Sequence, residues 1–400
     1  MDAGELRTLL STDGLRLLDS LPPFDQKADI VKAVADLRRL GHDPALVAAV
    51  LTQQRLRARA ALKFGAFAAE MLFTEDGLEQ ATRLRVAAIH AGRFQRAGLS
   101  RIADLGSGIG ADALAMAGID LEVTAVERDE VTAAIAAYNL AAFPHATVVH
   151  ADATTLDLTG FDGVYLDPAR RSGGHRLSDP ADWSPSLDFA FGQPLPSGIK
   201  LGPGIDRDLI PAAAEAQWVS VEGDVVEVGV WTRSLAREGI RRSALVFSST
   251  GVAEMSAPAD SEDEATGELG EFVFEPDGAV IRARLIGDLA RRLGARMLHR
   301  QIAYLTADAP AASPFASCFR VVETLALDER TLKKELAARG IGTVEIKKRG
   351  VDIDPAQLRK RLAPKGPNSA TLILTRLGER RVALLAERVT VSPVSHSPSQ

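Results

Sequence analysis

The sequence predicts an α/β protein: an open, mainly parallel sheet with covering helices, preceded by a helical region and closed by a small α+β module. Three observations carry this. From Arg101 onward, short apolar runs alternate with helix-like segments in a β-α-β-α-β-β succession. Before that point, apolar residues recur at three- and four-residue spacings. Near the end of the chain, two helical patterns interleave with strand-like runs.

Residues 1–98 read as helical. ADIVKAVADLRRLG and PALVAAVLTQQRLRARAALKFG carry the helical period, with Gly41 and Gly65 near their stops. Thr74 is placed to cap one helix over EDGLEQATRLRVAAIHAGRF. Arg55, Arg57, Arg59 and Lys63 read as an exposed basic helix face.

The sheet domain is expected over residues 99–252. RIADLG, LEVTAVE, ATVVHAD and FDGVYLDP are strands, with GADALAMA and DEVTAAIAAYNLAAF as helices between them. GIKLGPG, QWVSVEG with VVEVGVW, and RRSALVFS follow as strands, the last two suited to an antiparallel closing pair. Residues 253–270, acidic and without a period, read as a flexible linker. Region 271–392 opens with an amphipathic helix, AVIRARLIGDLARRLGA. It ends in TLKKELAARG (helix), TVEIKKRG (strand), DPAQLRKRLA (helix) and a hairpin turning near 377–380. Residues 393–400 read as a disordered tail.

At 46% hydrophobic and 25% charged, 400 residues describe a soluble chain large enough for more than one core. The single cysteine, Cys318, excludes an internal disulfide and a cysteine-built zinc site, and fits a reducing compartment. His145, His150 and His175 lack ligand spacing, so no metal is expected. No run of about 18 apolar residues suggests a membrane span, and MDAGELRTLL lacks an apolar leader, so the cytoplasm is the expected location. Residues 331–390 hold 14 Lys/Arg against 6 Asp/Glu, a charge of +8 on a chain whose net charge is −6. A basic module on an acidic body is one pattern of nucleic-acid binding.

The strongest constellation is IADLGSGIGAD, a strand followed by a glycine turn and a helix. Gly106, Ser107, Gly108 and Gly110 let the backbone approach a ligand closely. Glu127 ends the next strand and suits the two hydroxyls of a ribose. Asp152 ends the third, with the Ala153 N–H beside it for an adenine edge. A dinucleotide site would need G-x-G-x-x-G and a helix N-terminus open to pyrophosphate. Here the pattern is D-x-G-x-G-x-G, and Asp104 repels phosphate while suiting a cationic amine. S-adenosylmethionine, with an ammonium, a sulfonium and no phosphate, matches those charges.

DLGSGIGAD, AVERD, HADAT and LDPAR, in this order, resemble the class I methyltransferases, which implies a Rossmann-like sheet with the cofactor at its strand ends. MLFTEDGLEQAT and VEIKKRGVDIDPAQLRKRL resemble, more narrowly, bacterial methyltransferases with a C-terminal THUMP-like domain, here at about 318–390. That resemblance spans about 60–390. Its methyltransferase half is similar to trimethylguanosine synthase-like RNA enzymes, which implies an RNA substrate, tRNA or rRNA.

LDPAR stands where base-amine methyltransferases carry Asp/Asn-Pro-Pro-aromatic. Asp167 and the Pro168 carbonyl can accept hydrogen bonds from an exocyclic amine and orient it toward the methyl group. Ala169 replaces the second proline and no aromatic follows; Arg170 can offer its planar guanidinium instead. DPAR also resembles the DPPR of uridine C5-methyltransferases, but those need a cysteine nucleophile, and Cys318 lies outside any matching motif. Lys347, Lys348 and Arg349 are candidates for RNA phosphates. Two other functions stay open: a methyltransferase acting on a protein or small molecule, and a non-catalytic RNA-binding protein retaining the cofactor fold.

Overall fold

Capping chemistry sets the helices of the N-terminal region. In the computed structural model, α1 (Ala3–Leu9) starts on a capping box between Asp2 and Glu5. Ser11 caps α2 (Thr12–Ser20). After α3 (Lys27–Arg39), Asp43 and Pro44 open α4 (Pro44–Phe64), which Gly65 ends at φ 58°. Residues 1–22, 27–168, 171–172, 175–176 and 182–390 are described; Ala169, Arg170, the His175 side chain and the tail 393–400 lie outside the described residues.

The expected single helix after Thr74 is two. Thr74 does cap α5 (Glu75–Gln80), but the chain turns extended at Ala81 before α6 (Leu84–Arg96). The reason is Lys63, whose ammonium donates to the carbonyls of Leu78, Glu79 and Ala81 at 2.8 Å each and so satisfies the end of α5. The basic run on α4 is only in part the expected exposed face: Arg55 and Arg59 are exposed, while Lys63 is spent on these carbonyls. Arg57 is buried and donates to the Met71 carbonyl, while Arg55 and Arg59 both hold Glu75.

The chain forms two units: Met1–Leu201 with Gly229–Ala236, and Gly202–Val228 with Arg237–Gln400. This differs from the expected divisions after 98 and 252. The early helices do not form a domain of their own, because Leu9, Val50, Phe64 and Phe94 share one core with Ile102, Ala125 and Tyr165 of the sheet. In the first unit β1 (Arg101–Leu105), α7 (Ala111–Ala117), β2 (Glu122–Glu127), α8 (Glu130–Leu140), β3 (Ala146–His150) and β4 (Gly163–Leu166) alternate. A two-residue pair, β5 (Arg171–Ser172) and β6 (His175–Arg176), precedes α9 (Leu187–Phe191) and β7 (Ser197–Leu201). The order is β7-β4-β1-β2-β3, every neighbour parallel.

In the second unit β8 (Glu215–Val221) leads into β9 (Asp224–Trp231), whose last three residues belong to the first unit. The expected antiparallel closing pair is corrected here. β10 (Arg242–Ser248) runs parallel to β8, and its antiparallel partner is β11 (Gly251–Ala257). So 253–257 is strand, not linker, and the rest of the acidic stretch is tied down. The Gly267 N–H donates to the Met297 carbonyl, the Met297 N–H donates to the Ala265 carbonyl, and Arg291 and Arg284 pair with Glu264 and Asp263.

The remaining strands are β12 (Phe272–Pro276), β13 (Arg296–His299), β14 (Ile302–Ala307), β15 (Ala316–Ala326), β16 (Ile341–Lys348), β17 (Asn368–Leu377) and β18 (Arg380–Val389). They form a seven-stranded sheet in the order β13-β14-β12-β15-β18-β17-β16. AVIRARLIGDLARRLGA also breaks in two, α10 (Gly278–Arg282) and α11 (Ile286–Leu293), at Arg284 with φ 59°. α12 (Glu329–Ala338) and α13 (Pro355–Leu362) bury Leu332, Leu336, Leu358 and Leu362 against β16 and β17. The hairpin turns where expected, with Leu377 opposite Arg380.

Candidate active site

β1 lies at the point where the strand order reverses, with β2 on one side and β4 on the other, so a crevice opens at its carboxyl end. The turn leaving it carries Gly106, Gly108 and Gly110 at φ 83°, 56° and 84°, a region that L side chains rarely adopt. The N–H groups of Gly106 and Ser107 both donate to the Val126 carbonyl, at 2.9 and 3.0 Å, folding the turn over β2. A Cβ on Gly106 would lie 3.5 Å from the Asp167 carbonyl oxygen, so the glycine turn and the end of β4 are in contact.

Around this turn is a cavity of about 490 Å³. Glu127 reaches it from β2 with its carboxylate fixed by the N–H groups of Gly108 (3.1 Å) and Asp129 (2.9 Å). Asp152 accepts from the hydroxyl and N–H of Thr154 (2.6 and 2.8 Å), bonds that hold its carboxyl below the usual range. Ala153 is beside it. Glu75, Asp76, Asp112, Asp129 and Asp167 also line the cavity, against Arg128 and Lys200.

Asp104 lies beneath the turn, 1% exposed, and its Oδ2 has no hydrogen-bond partner among the described residues; neither has the buried Ser107 Oγ. Burial, then the charges of Asp112 and Asp167, push the Asp104 carboxyl well above the usual carboxylate range. An interior acid with one oxygen lacking a partner among the described residues, beneath an acid-rich cavity, suits a cationic ligand and opposes a phosphate. A ribose at Glu127, an adenine at Asp152 and an ammonium near Asp104 fit the residues present.

At the other end of the cavity is a cluster that sequence reasoning missed. Asp167, at the end of β4, is ion-paired with Lys200 on β7. The Lys200 ammonium also donates to Thr82 Oγ1 at 2.9 Å, and the Thr82 hydroxyl donates to Asp112 Oδ2 at 2.7 Å. His90 Nδ1 lies 2.8 Å from Asp112 Oδ1 and 2.9 Å from the Tyr165 hydroxyl. Burial opposes ionisation of Asp112, but His90, Lys200 and Thr82 together hold its carboxyl below the usual range. Thr82 stands inside the LEQAT stretch and Asp112 inside GIGAD, so a signal was present for both; a lone lysine in a strand gave none for Lys200.

The other candidates separate cleanly. Lys347 is ion-paired with Glu275 (2.6 Å) and Glu345 (3.2 Å), and Arg349 approaches Glu275 at 4.0 Å and lies over the Tyr304 ring. Of the three cations expected at RNA, Lys348 is the exposed one. His145 and His150 each bond a backbone carbonyl, of Ala117 and Arg128. The Pro203 carbonyl of KLGPG accepts from Trp218 and Arg282, a structural turn. Among the described residues, no group of three or more His, Cys, Asp or Glu is placed to hold a metal ion, and no helix is long and apolar enough to cross a membrane.

Residues 316–388 match the family described as THUMP domain-like, and residues 2–60 match a domain family of unknown function. Two proteins of Mycobacterium tuberculosis, from strains CDC 1551 and H37Rv, are each 35% identical over 337 residues, covering 81% of this chain and 91% of theirs. Both are named as uncharacterized S-adenosylmethionine-dependent methyltransferases. A solved structure from Porphyromonas gingivalis W83, named as a candidate methyltransferase, shares the fold. It has a TM-score of 0.72 at 22% identity, over 98% of this chain and 100% of that one. The cofactor is S-adenosylmethionine, which supplies an electrophilic methyl group on a sulfonium. The chain belongs to the S-adenosylmethionine-dependent methyltransferases and carries a THUMP-like domain in its C-terminal region.

Proposed function

We propose that this methyltransferase acts on a base of a structured RNA, tRNA or rRNA, with an exocyclic amine as the acceptor. The observation that carries the reading is the THUMP-like domain over 316–388, which coincides with the +8 charge of residues 331–390. The cavity supports a base rather than a nucleotide. Its acidic walls repel phosphate, so the backbone would stay outside while a single base, turned out of its stack, enters. Asp167 and the Pro168 carbonyl, at the strand end touching the glycine turn, would accept from the amine and aim its lone pair. Gly106, Ser107, Gly108 and Gly110, with Asp104, Glu127, Asp152 and Ala153, would hold the cofactor. Arg170 would add a stacking or phosphate contact.

One observation favours a second reading, a protein or small-molecule acceptor: Lys347 and Arg349 are already engaged by Glu275, so part of the basic character is architectural. Transfer of labelled methyl to total RNA from cells lacking this protein separates the two. Ribonuclease-sensitive label is expected; label only in protein or small molecules would replace the RNA reading with the second.

A further inference from the structure

We propose that Lys200 is a positioning residue for methyl transfer, tying the strand end that faces the acceptor to the segment where α5 leaves the cofactor cavity. Its ammonium pairs with Asp167, donates to Thr82 Oγ1 at 2.9 Å and reaches the Gln80 carbonyl at 3.5 Å. All four residues line the cavity. The Lys200 side chain is only 11% exposed, so its contacts escape the solvent screening that makes surface pairs weak.

The cluster also closes on itself. From Lys200 it passes through Thr82 on the α5 exit, Asp112 on α7 and His90 on α6 to the Tyr165 hydroxyl. Tyr165 is on β4, two residues before Asp167. The chain of contacts therefore leaves the end of β4 and returns to it, holding that end at two points. A displacement of about 1 Å in a reacting geometry can cost roughly 100-fold in rate. Lys200 is the lysine of this cluster, and Asp104, Asp112 and Asp167 all feel its field.

The role rests on the methyltransferase family of the chain and not on the acceptor being RNA. Amide hydrogen exchange with and without S-adenosylmethionine reads it without any acceptor. In the wild type, the cofactor should slow exchange at 75–83 and 163–167 together. Lys200→Met should lose the protection at 163–167 while keeping it at 106–110, and Lys200→Arg should restore it. In labelled transfer, Lys200→Met should lower kcat about 100-fold with little change in the KM for the cofactor. Thr82→Val, which keeps the ammonium and its pair with Asp167 but loses both bonds of the hydroxyl, should show the same uncoupling in weaker form, and decides the matter if Lys200→Met does not fold.

Unchanged protection at 163–167 in these variants would overturn the role. So would equal losses in Lys200→Met and Lys200→Arg that extend to 106–110, the mark of a general folding contribution. A wild type that shows coupled protection but transfers no methyl to RNA would sink the RNA reading and leave Lys200 standing.

Discussion

The cavity at the glycine turn and the cations of β16 are alike in the sequence, each a group of charged residues near a strand end, yet the fold treats them oppositely. Under the glycine turn, Asp104 is buried with one oxygen lacking a partner among the described residues. On β16, Lys347 is paired twice, with Glu275 and Glu345, over the Phe319 ring. Burying an unsatisfied polar group costs free energy, and at Asp104 that oxygen lies beneath a glycine turn bordering an acidic cavity, where a cationic ligand would relieve it. A charge already satisfied by its own unit is architecture.

The largest expected effect lies at the cavity. Asp167→Ala should lower methyl transfer about 100-fold or more, while cofactor affinity, read by calorimetry, shifts only a few-fold. Equal losses in both would move Asp167 into the cofactor socket and blur the division between its two ends. The β16 cations give a mid-sized contrast. Lys348→Glu should weaken RNA binding by roughly tenfold and reduce its salt slope by about 1, with no change in thermal stability. Glu275→Gln, which strips Lys347 of one of its two carboxylates, should do the reverse, costing about 1–3 kcal/mol of stability and leaving RNA affinity nearly intact. RNA affinity falling equally in both variants would break the contrast. The smallest effect is at the rim: Thr74→Ala removes the hydroxyl that caps α5 at Gly77 and should cost about 1 kcal/mol, measurable as a lower Tm and spared by Thr74→Ser.

Most of the fold was legible because its signals are local. The D-x-G-x-G-x-G turn needs backbone angles that glycine supplies, and the order of Asp104, Glu127, Asp152 and Asp167 follows strand order. Thr74 announced a helix start by its capping chemistry. What the sequence hid depends on distant partners. The break after α5 comes from Lys63, more than ten positions upstream, and the acidic stretch is ordered by Arg284 and Arg291, downstream of it. Lys200 gains its meaning only when β7 is laid beside β4. Likewise, KKRG reads as a phosphate grip until Glu275 of β12 is seen to occupy Lys347.

Asp104 also sets a pH dependence whose sign is fixed. Burial and neighbouring acids raise its folded value well above 3.8. Its contribution to the stability of the cofactor-free protein is therefore full below that ordinary value and is lost as pH rises through the folded one. A cation placed beside the carboxyl favours the ionised form, so cofactor affinity should run the other way and rise with pH over the same window.

Calorimetric titration with S-adenosylmethionine, in two buffers of different ionisation enthalpy, tests the central claim that this unsatisfied acid is the cofactor's electrostatic socket. The wild type should release a proton on binding toward the acid side of the window. Asp104→Asn should bind about 10- to 100-fold more weakly, release none, and melt at a higher temperature when free of cofactor. An Asn variant that binds as tightly as the wild type, with the same pH dependence, would contradict it.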